Sequence, residues 1–201
     1  MTKKEEFIEI YRKEIHREGA DKLLAWLEKT DFFTAPASTR YHGAYEGGLA
    51  EHSIHVFERL RALCGLESQG KAALKGPSVE TMAVCGLLHD ICKADFYAVE
   101  MRNRKNGQGQ WEKYPFYVVN DQLPYGHGEK SVYIISGFMR LSREEAMAIR
   151  WHMGGFDDTA KSGGYAISNA FDKYPIAVKL HLADLESTYL REKGTSSVNR
   201  R

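Results

Sequence analysis

The chain has 201 residues, 43% of them hydrophobic and 27% charged, with a formal net charge of +1, which is the make-up of an ordinary folded domain with one core. Near-zero charge excludes a general electrostatic drive toward nucleic acid or anionic membrane, so any polyanion binding has to come from a local patch. The start, Met1 to Glu6, mixes acids with lysines, and no long apolar run follows it; this predicts a cytoplasmic chain without signal peptide or membrane span.

Thr2 with Glu5 makes a capping box, and Phe7, Ile8, Tyr11 and Ile15 recur at helical spacing until Gly19 stops the helix. A second short helix, from Asp21 to about Glu28, carries Leu23, Leu24, Trp26 and Leu27. Residues 1–40 therefore read as packing helices without chemistry. After the glycine-bearing loop Tyr41 to Gly48, a helix from Leu49 to about Cys64 places Leu49, His52, Val56, Leu60 and Leu63 on one face, so His52 points inward. His55 falls with Glu51, Glu58 and Arg59 on the polar side and reads as solvated. His42 is either a loop hydrogen-bonder or a residue lining a pocket.

Pro77-Ser78 opens a central helix that is apolar all round and ends in His89-Asp90. An ionised carboxylate at the end of such a helix costs several kcal/mol unless it is paired or binds a metal. A divalent cation would serve. Taken alone, however, the pair reads as a buried His–Asp hydrogen bond between helices. Gly86, one turn earlier, predicts another backbone packed closely against this helix. The cysteines, Cys64, Cys85 and Cys92, lack CxxC spacing and read as reduced thiols.

Strand formers dominate from Phe96 to Val119, around Asn106-Gly107, and predict a β-hairpin inserted in a helical domain. Arg102, Arg104, Lys105 and Lys113 alternate with its aromatic residues, a pattern that can hold a nucleotide base or single strand. An amphipathic hairpin with solvated charges is the bland alternative. His127, between two glycines, stands at the entrance to a helix running through Val132 and Phe138. Ser142 and Glu145 form another capping box, for a helix whose buried face takes in Ile149 and His152. Pro175 begins the last helix, with Ile176, Leu180 and Asp184 on one line. Residues 191–201 are small and polar beyond Lys193 and are expected to fray.

His52, His89, Asp90, His127, His152 and Asp184 are thus imidazoles and carboxylates at helix ends or on apolar faces. One shared metal site explains them together, and mixed nitrogen and oxygen donors suit divalent manganese, iron, nickel, zinc or magnesium. In this order they resemble the ligands of the HD-domain metal-dependent phosphohydrolases, with His89-Asp90-Ile91-Cys92-Lys93 similar to the family's hallmark segment. The resemblance covers roughly Tyr41 to Tyr189, and the stretch from Tyr41 to His52 is similar to the HD region of certain bacterial 3'-to-5' exoribonucleases. It implies a mainly α HD-type helical bundle, a single domain whose core is residues 41–190 with the hairpin, about 96–119, inserted.

The resemblance further implies one metal ion on His52, His89, Asp90 and Asp184, and a second on His127 and His152 with Asp90 as bridge. Many relatives have glycine where Cys92 stands, which adds a thiol near the metal though not among the expected ligands. Lys93 matches the family pattern and is expected, with Asp90, to act in catalysis by stabilising phosphate charge; a surface lysine at a helix terminus is the alternative. His181 either orients Asp184 or faces elsewhere. The expected activity is hydrolysis of a phosphoester of a nucleotide or short nucleic acid by metal-activated water, with Arg102, Arg104 and His42 contacting substrate and no membrane partner. A dinuclear iron oxygenase of the same fold and a metal-holding binding module without turnover are the competing readings.

Overall fold

The structure, a computed structural model, describes residues 1–67 and 76–192. Helix α1 (Lys3–Glu14) starts at the expected capping box, where the Thr2 hydroxyl accepts from Glu5 N at 3.2 Å and the Glu5 carboxylate accepts from Thr2 N at 2.7 Å. It ends at Glu14, well before Gly19. The amides of His16 and Arg17 leave the helical ladder to donate to the Glu80 carboxylate at 2.8 and 3.1 Å. Gly19 instead precedes α2 (Ala20–Leu27), in a left-handed conformation.

Helix α3 (Gly48–Glu67) and the buried helix α4 (Val79–Leu88) pack together at the centre of the bundle. Ser78 caps α4 by accepting from Thr81 N at 3.0 Å, and every residue from Thr81 to Leu88 is buried. The expected close approach at Gly86 is present: a Cβ there would lie 2.5 Å from Phe57 Cα on α3. Glycine therefore sets the distance between the two helices that carry His52 and His89-Asp90. A short 3-10 turn, Ile91–Lys93, follows.

Strands β1 (Tyr97–Lys105) and β2 (Trp111–Val119) form the antiparallel hairpin, in register from Tyr97 opposite Val119 to Lys105 opposite Trp111. Its turn is longer than an Asn-Gly pair. The Asn106 side chain accepts from Gln108 N and Gln110 N, each at 3.0 Å, and Gly109, not Gly107, takes the positive φ.

Four further segments, α5 (His127–Ser136), α6 (Arg143–Trp151), the single turn α7 (Asp158–Lys161) and α8 (Ala166–Lys173), precede α9 (Pro175–Glu186). Helix α6 packs on α5 and α9, and α9 packs on α3, so the bundle closes around α3 and α4. Pro175 does occupy the first turn of α9. The expectation of a frayed tail from 191 is corrected. The chain continues α9 through a π-helical turn, Ser187–Arg191, Arg191 pairs with Glu58, and Glu192 is buried against two imidazoles. The remainder of that expectation, residues 193–201, lies outside the described residues.

Candidate metal centre

Five helices deliver the polar residues at one place. His52 comes from the first half of α3; His89 caps the C-terminus of α4 with Asp90 beside it; His127 opens α5; His152 caps the C-terminus of α6; Asp184 lies near the end of α9. The α5–α6 contact depends on another missing side chain, since a Cβ on Gly128 would stand 2.2 Å from the Arg150 carbonyl oxygen. That approach brings the His127 and His152 rings to 5.1 Å between centroids.

His52, His89 and His152 each have one nitrogen engaged and one left over. Nδ1 of His89 meets the Gly86 carbonyl at 2.9 Å, Nδ1 of His152 meets the Ile149 carbonyl at 2.7 Å, and Nδ1 of His52 lies 3.1 Å from Glu192. These acceptors hold Nδ1–H of each ring and turn Nε2 inward. The Nε2 atoms of His52, His89 and His152 are all buried without a hydrogen-bond partner; Asp184 Oδ1 comes within 3.2 Å of His52 Nε2 but out of hydrogen-bond alignment. An orphaned buried nitrogen costs about 1–3 kcal/mol. Several converging on carboxylates form a donor set that a divalent cation fits.

Asp90 occupies the middle, 2% exposed. Its Oδ2 faces His89 Nε2 at 3.5 Å, His52 Nε2 at 3.8 Å and the Lys93 ammonium at 2.6 Å. Its Oδ1 faces the other way, 2.8 Å from His127 Nε2 and 3.4 Å from His152 Nε2. Burial would raise the Asp90 carboxyl, but Lys93 and the imidazoles outweigh it and hold it well below the usual range. Burial would likewise raise Asp184, and His52 pulls it below that range. For His89 burial wins and lowers the imidazole to about 3. Burial opposes protonation of His52 and His127 as well, but Asp184 and Glu192 at the first and Cys92 and Asp90 at the second outweigh it and raise both imidazoles to about 10. Without a cation the centre thus holds ionised oxygens, a neutral His89 and protonated His52 and His127, and a bound cation takes the place of those protons.

Lys93 is not a surface lysine. Its side chain is 13% exposed and its ammonium donates to Asp90 at 2.6 Å and to the Ala37 carbonyl at 2.7 Å. His42 lines the same cavity, its ring 4.7 Å from that of His52, and neither ring nitrogen has a hydrogen-bond partner, so the loop hydrogen-bonder reading is corrected. His181 does not orient Asp184: its Nδ1 lies 2.7 Å from the His152 carbonyl oxygen, which braces the end of α6. Arg102 and Arg104 are not brought to the centre. They stack over Phe116 and Tyr114 on the hairpin and pair with Glu100 and Glu112.

His55 is the clearest error of the sequence reading. It is 7% exposed, not solvated, because its Nδ1 lies 2.8 Å from Glu192 Oε1. Glu192 itself, which also faces His52, is the residue the sequence reading missed. Burial opposes its charge, yet His52 and His55 hold its carboxyl down to about 2. A signal was present: Asp184, Thr188 and Glu192 follow at four-residue intervals, one helical line, and Thr188 donates to Asp184 at 3.4 Å.

A cavity of about 380 Å³ opens over Asp90, Asp184 and His127, with Tyr41, Phe156 and Tyr189 on its apolar side. A helical bundle that gathers imidazoles and carboxylates beneath a cavity is the layout of a metal-dependent enzyme. The HD domain family matches residues 49–185, and the chain belongs to that family, the metal-dependent phosphohydrolase superfamily. The match carries the family and does not reach the narrower likeness to exoribonucleases. No curated protein and no solved structure matches the chain. Among the described residues, no helix is long and apolar enough to cross a membrane.

Proposed function

We propose that the protein hydrolyses a phosphoester of a nucleotide or short nucleic acid at a centre of two divalent ions, held by His52, His89, Asp90 and Asp184 on one side and by Asp90, His127 and His152 on the other. The observation that carries this reading is the division of Asp90, whose two oxygens face separate imidazoles. Bound divalent ions lower the pKa of water toward neutrality and neutralise charge on phosphoryl oxygens.

The chain's own groups supply the rest. Lys93 fixes the Asp90 carboxylate and places a positive charge at the cavity floor, where phosphate charge develops. Burial, with His52 and Lys93 nearby, lowers His42 to about 4. Its neutral ring lines the cavity wall, and both ring nitrogens are buried without a hydrogen-bond partner, so a substrate oxygen reaches them only if the ring turns toward the cavity. Tyr41, Phe156 and Tyr189 each expose more than half of their surface around the same cavity, and such rings stack on bases with about 1–3 kcal/mol each. Arg102 and Arg104 contact only a substrate that extends past the cavity to the hairpin, a short nucleic acid instead of a mononucleotide.

The test is turnover of nucleotides, cyclic nucleotides and short RNA by protein loaded with manganese, iron, nickel, zinc or magnesium. Chelator-sensitive release of phosphate or a nucleotide is the expected result. Oxygen uptake by the iron-loaded protein without hydrolysis would replace this reading with the oxygenase, and inertness toward every substrate would leave a binding module.

A further inference from the structure

The thiol of Cys92 has no part in the chemistry described so far, yet it is placed beside it. Cys92 is 3% exposed but, unlike Cys85, does not belong to the apolar core cluster. The 3-10 turn that follows His89-Asp90 is held to α5 by the Ser131 hydroxyl, which accepts from Cys92 N at 3.3 Å. This fastening aims Sγ at His127, 3.4 Å from Nδ1 and 3.8 Å from Nε2, on the side where His127 Nε2 meets Asp90 Oδ1 at 2.8 Å. One donor atom from each of Asp90, Cys92 and His127 lies within 4.8 Å of the others.

Resting on the dinuclear reading, we propose that Cys92 is itself a ligand of the ion on the His127 and His152 side, so that this position is a sulfur, nitrogen and oxygen site. Metal–sulfur and metal–nitrogen bonds of about 2.3 and 2.0–2.1 Å in a tetrahedral site put donor atoms roughly 3.3–3.6 Å apart. The sulfur to His127 Nε2 distance of 3.8 Å and the His152 Nε2 to Asp90 Oδ1 distance of 3.4 Å are near that size, and the 2.8 Å between His127 Nε2 and Asp90 Oδ1 is a hydrogen bond that a bound ion would open. His152 supplies an independent pointer. Its Nε2 is fully buried, without a hydrogen-bond partner, and turned toward the same carboxylate oxygen. On binding, the thiol releases its proton to solvent and the sulfur coordinates as thiolate. A sulfur donor on one side and only nitrogen and oxygen on the other makes the two positions unlike: the Cys92 side prefers zinc or iron, and the Asp184 side also accepts manganese or magnesium.

X-ray absorption at the zinc edge of the fully loaded wild-type protein tests this without any variant. The expected spectrum contains a sulfur contribution at about 2.3 Å beside the nitrogen and oxygen shell. That sulfur disappears in Cys92→Ser and stays in Cys64→Ser. Should Cys92→Ser not fold, the cobalt-loaded wild type decides through the thiolate-to-cobalt charge-transfer absorption. Bound metal with nitrogen and oxygen donors alone would overturn the role of Cys92 and leave the dinuclear reading intact. Failure to bind metal at all would overturn both.

Discussion

Asp90→Asn is expected to lose both metal ions under conditions that load the wild-type protein, and to lose hydrolysis by at least about 10³-fold, the effect of removing several kcal/mol of charge stabilisation. The substitution keeps the size of the side chain and a carbonyl oxygen for Lys93, so it removes charge at the point where the two donor groups meet. His52 and His89 face one oxygen of this side chain and His127 and His152 the other. An unchanged circular dichroism spectrum with an empty centre is the anticipated outcome of elemental analysis. A variant that kept one ion at full occupancy would show that Asp90 serves one position only.

Glu192→Gln is expected to weaken metal binding by about 10–100-fold, the usual cost of losing the carboxylate behind a ligating histidine. Glu192 touches the far nitrogen of His52, at 3.1 Å, and so acts through that imidazole by orienting it and raising its basicity. Its contact with His55 secures the carboxylate in place. Titration against a coloured chelator reads the affinity, and the thermal midpoint of the metal-free variant separates a positioning role from a merely structural one. Equal affinity with a lowered midpoint would make Glu192 a fastener of the π-helical turn Ser187–Arg191 and nothing more.

These two residues mark what the sequence disclosed and what it withheld. Asp90 was legible because a charge that closes an apolar helix is locally anomalous, and His52, His152 and Asp184 were legible as polar residues on apolar stripes. Capping boxes at Thr2 and Ser142 were equally readable, since both partners lie within one turn. Glu192 was concealed by its polar neighbours: composition suggests fraying, whereas the partners that retain it are 137 and 140 residues earlier. His55 was misjudged for the same reason. Helical periodicity assigns a face, but only the fold says what covers that face. The end of α1 was set by Glu80, again remote in sequence. His181 and Lys93 show the limit once more, as their roles rest on a carbonyl of another segment.

Whether the residues gathered around Asp90 form two metal positions is decided by elemental analysis of His152→Ala beside wild type. Nε2 of His152 serves the Oδ1 side of Asp90, and no part of His152 contacts Asp184 or His52 by hydrogen bond or ion pair among the described residues. About two ions per chain are expected for wild type and about one for the variant, with the fold retained and most activity lost, because both ions of such a pair take part in hydrolysis. The same metal-to-protein ratio in both proteins would contradict the two positions and would make His127 and His152 binders of the substrate phosphate around a single ion.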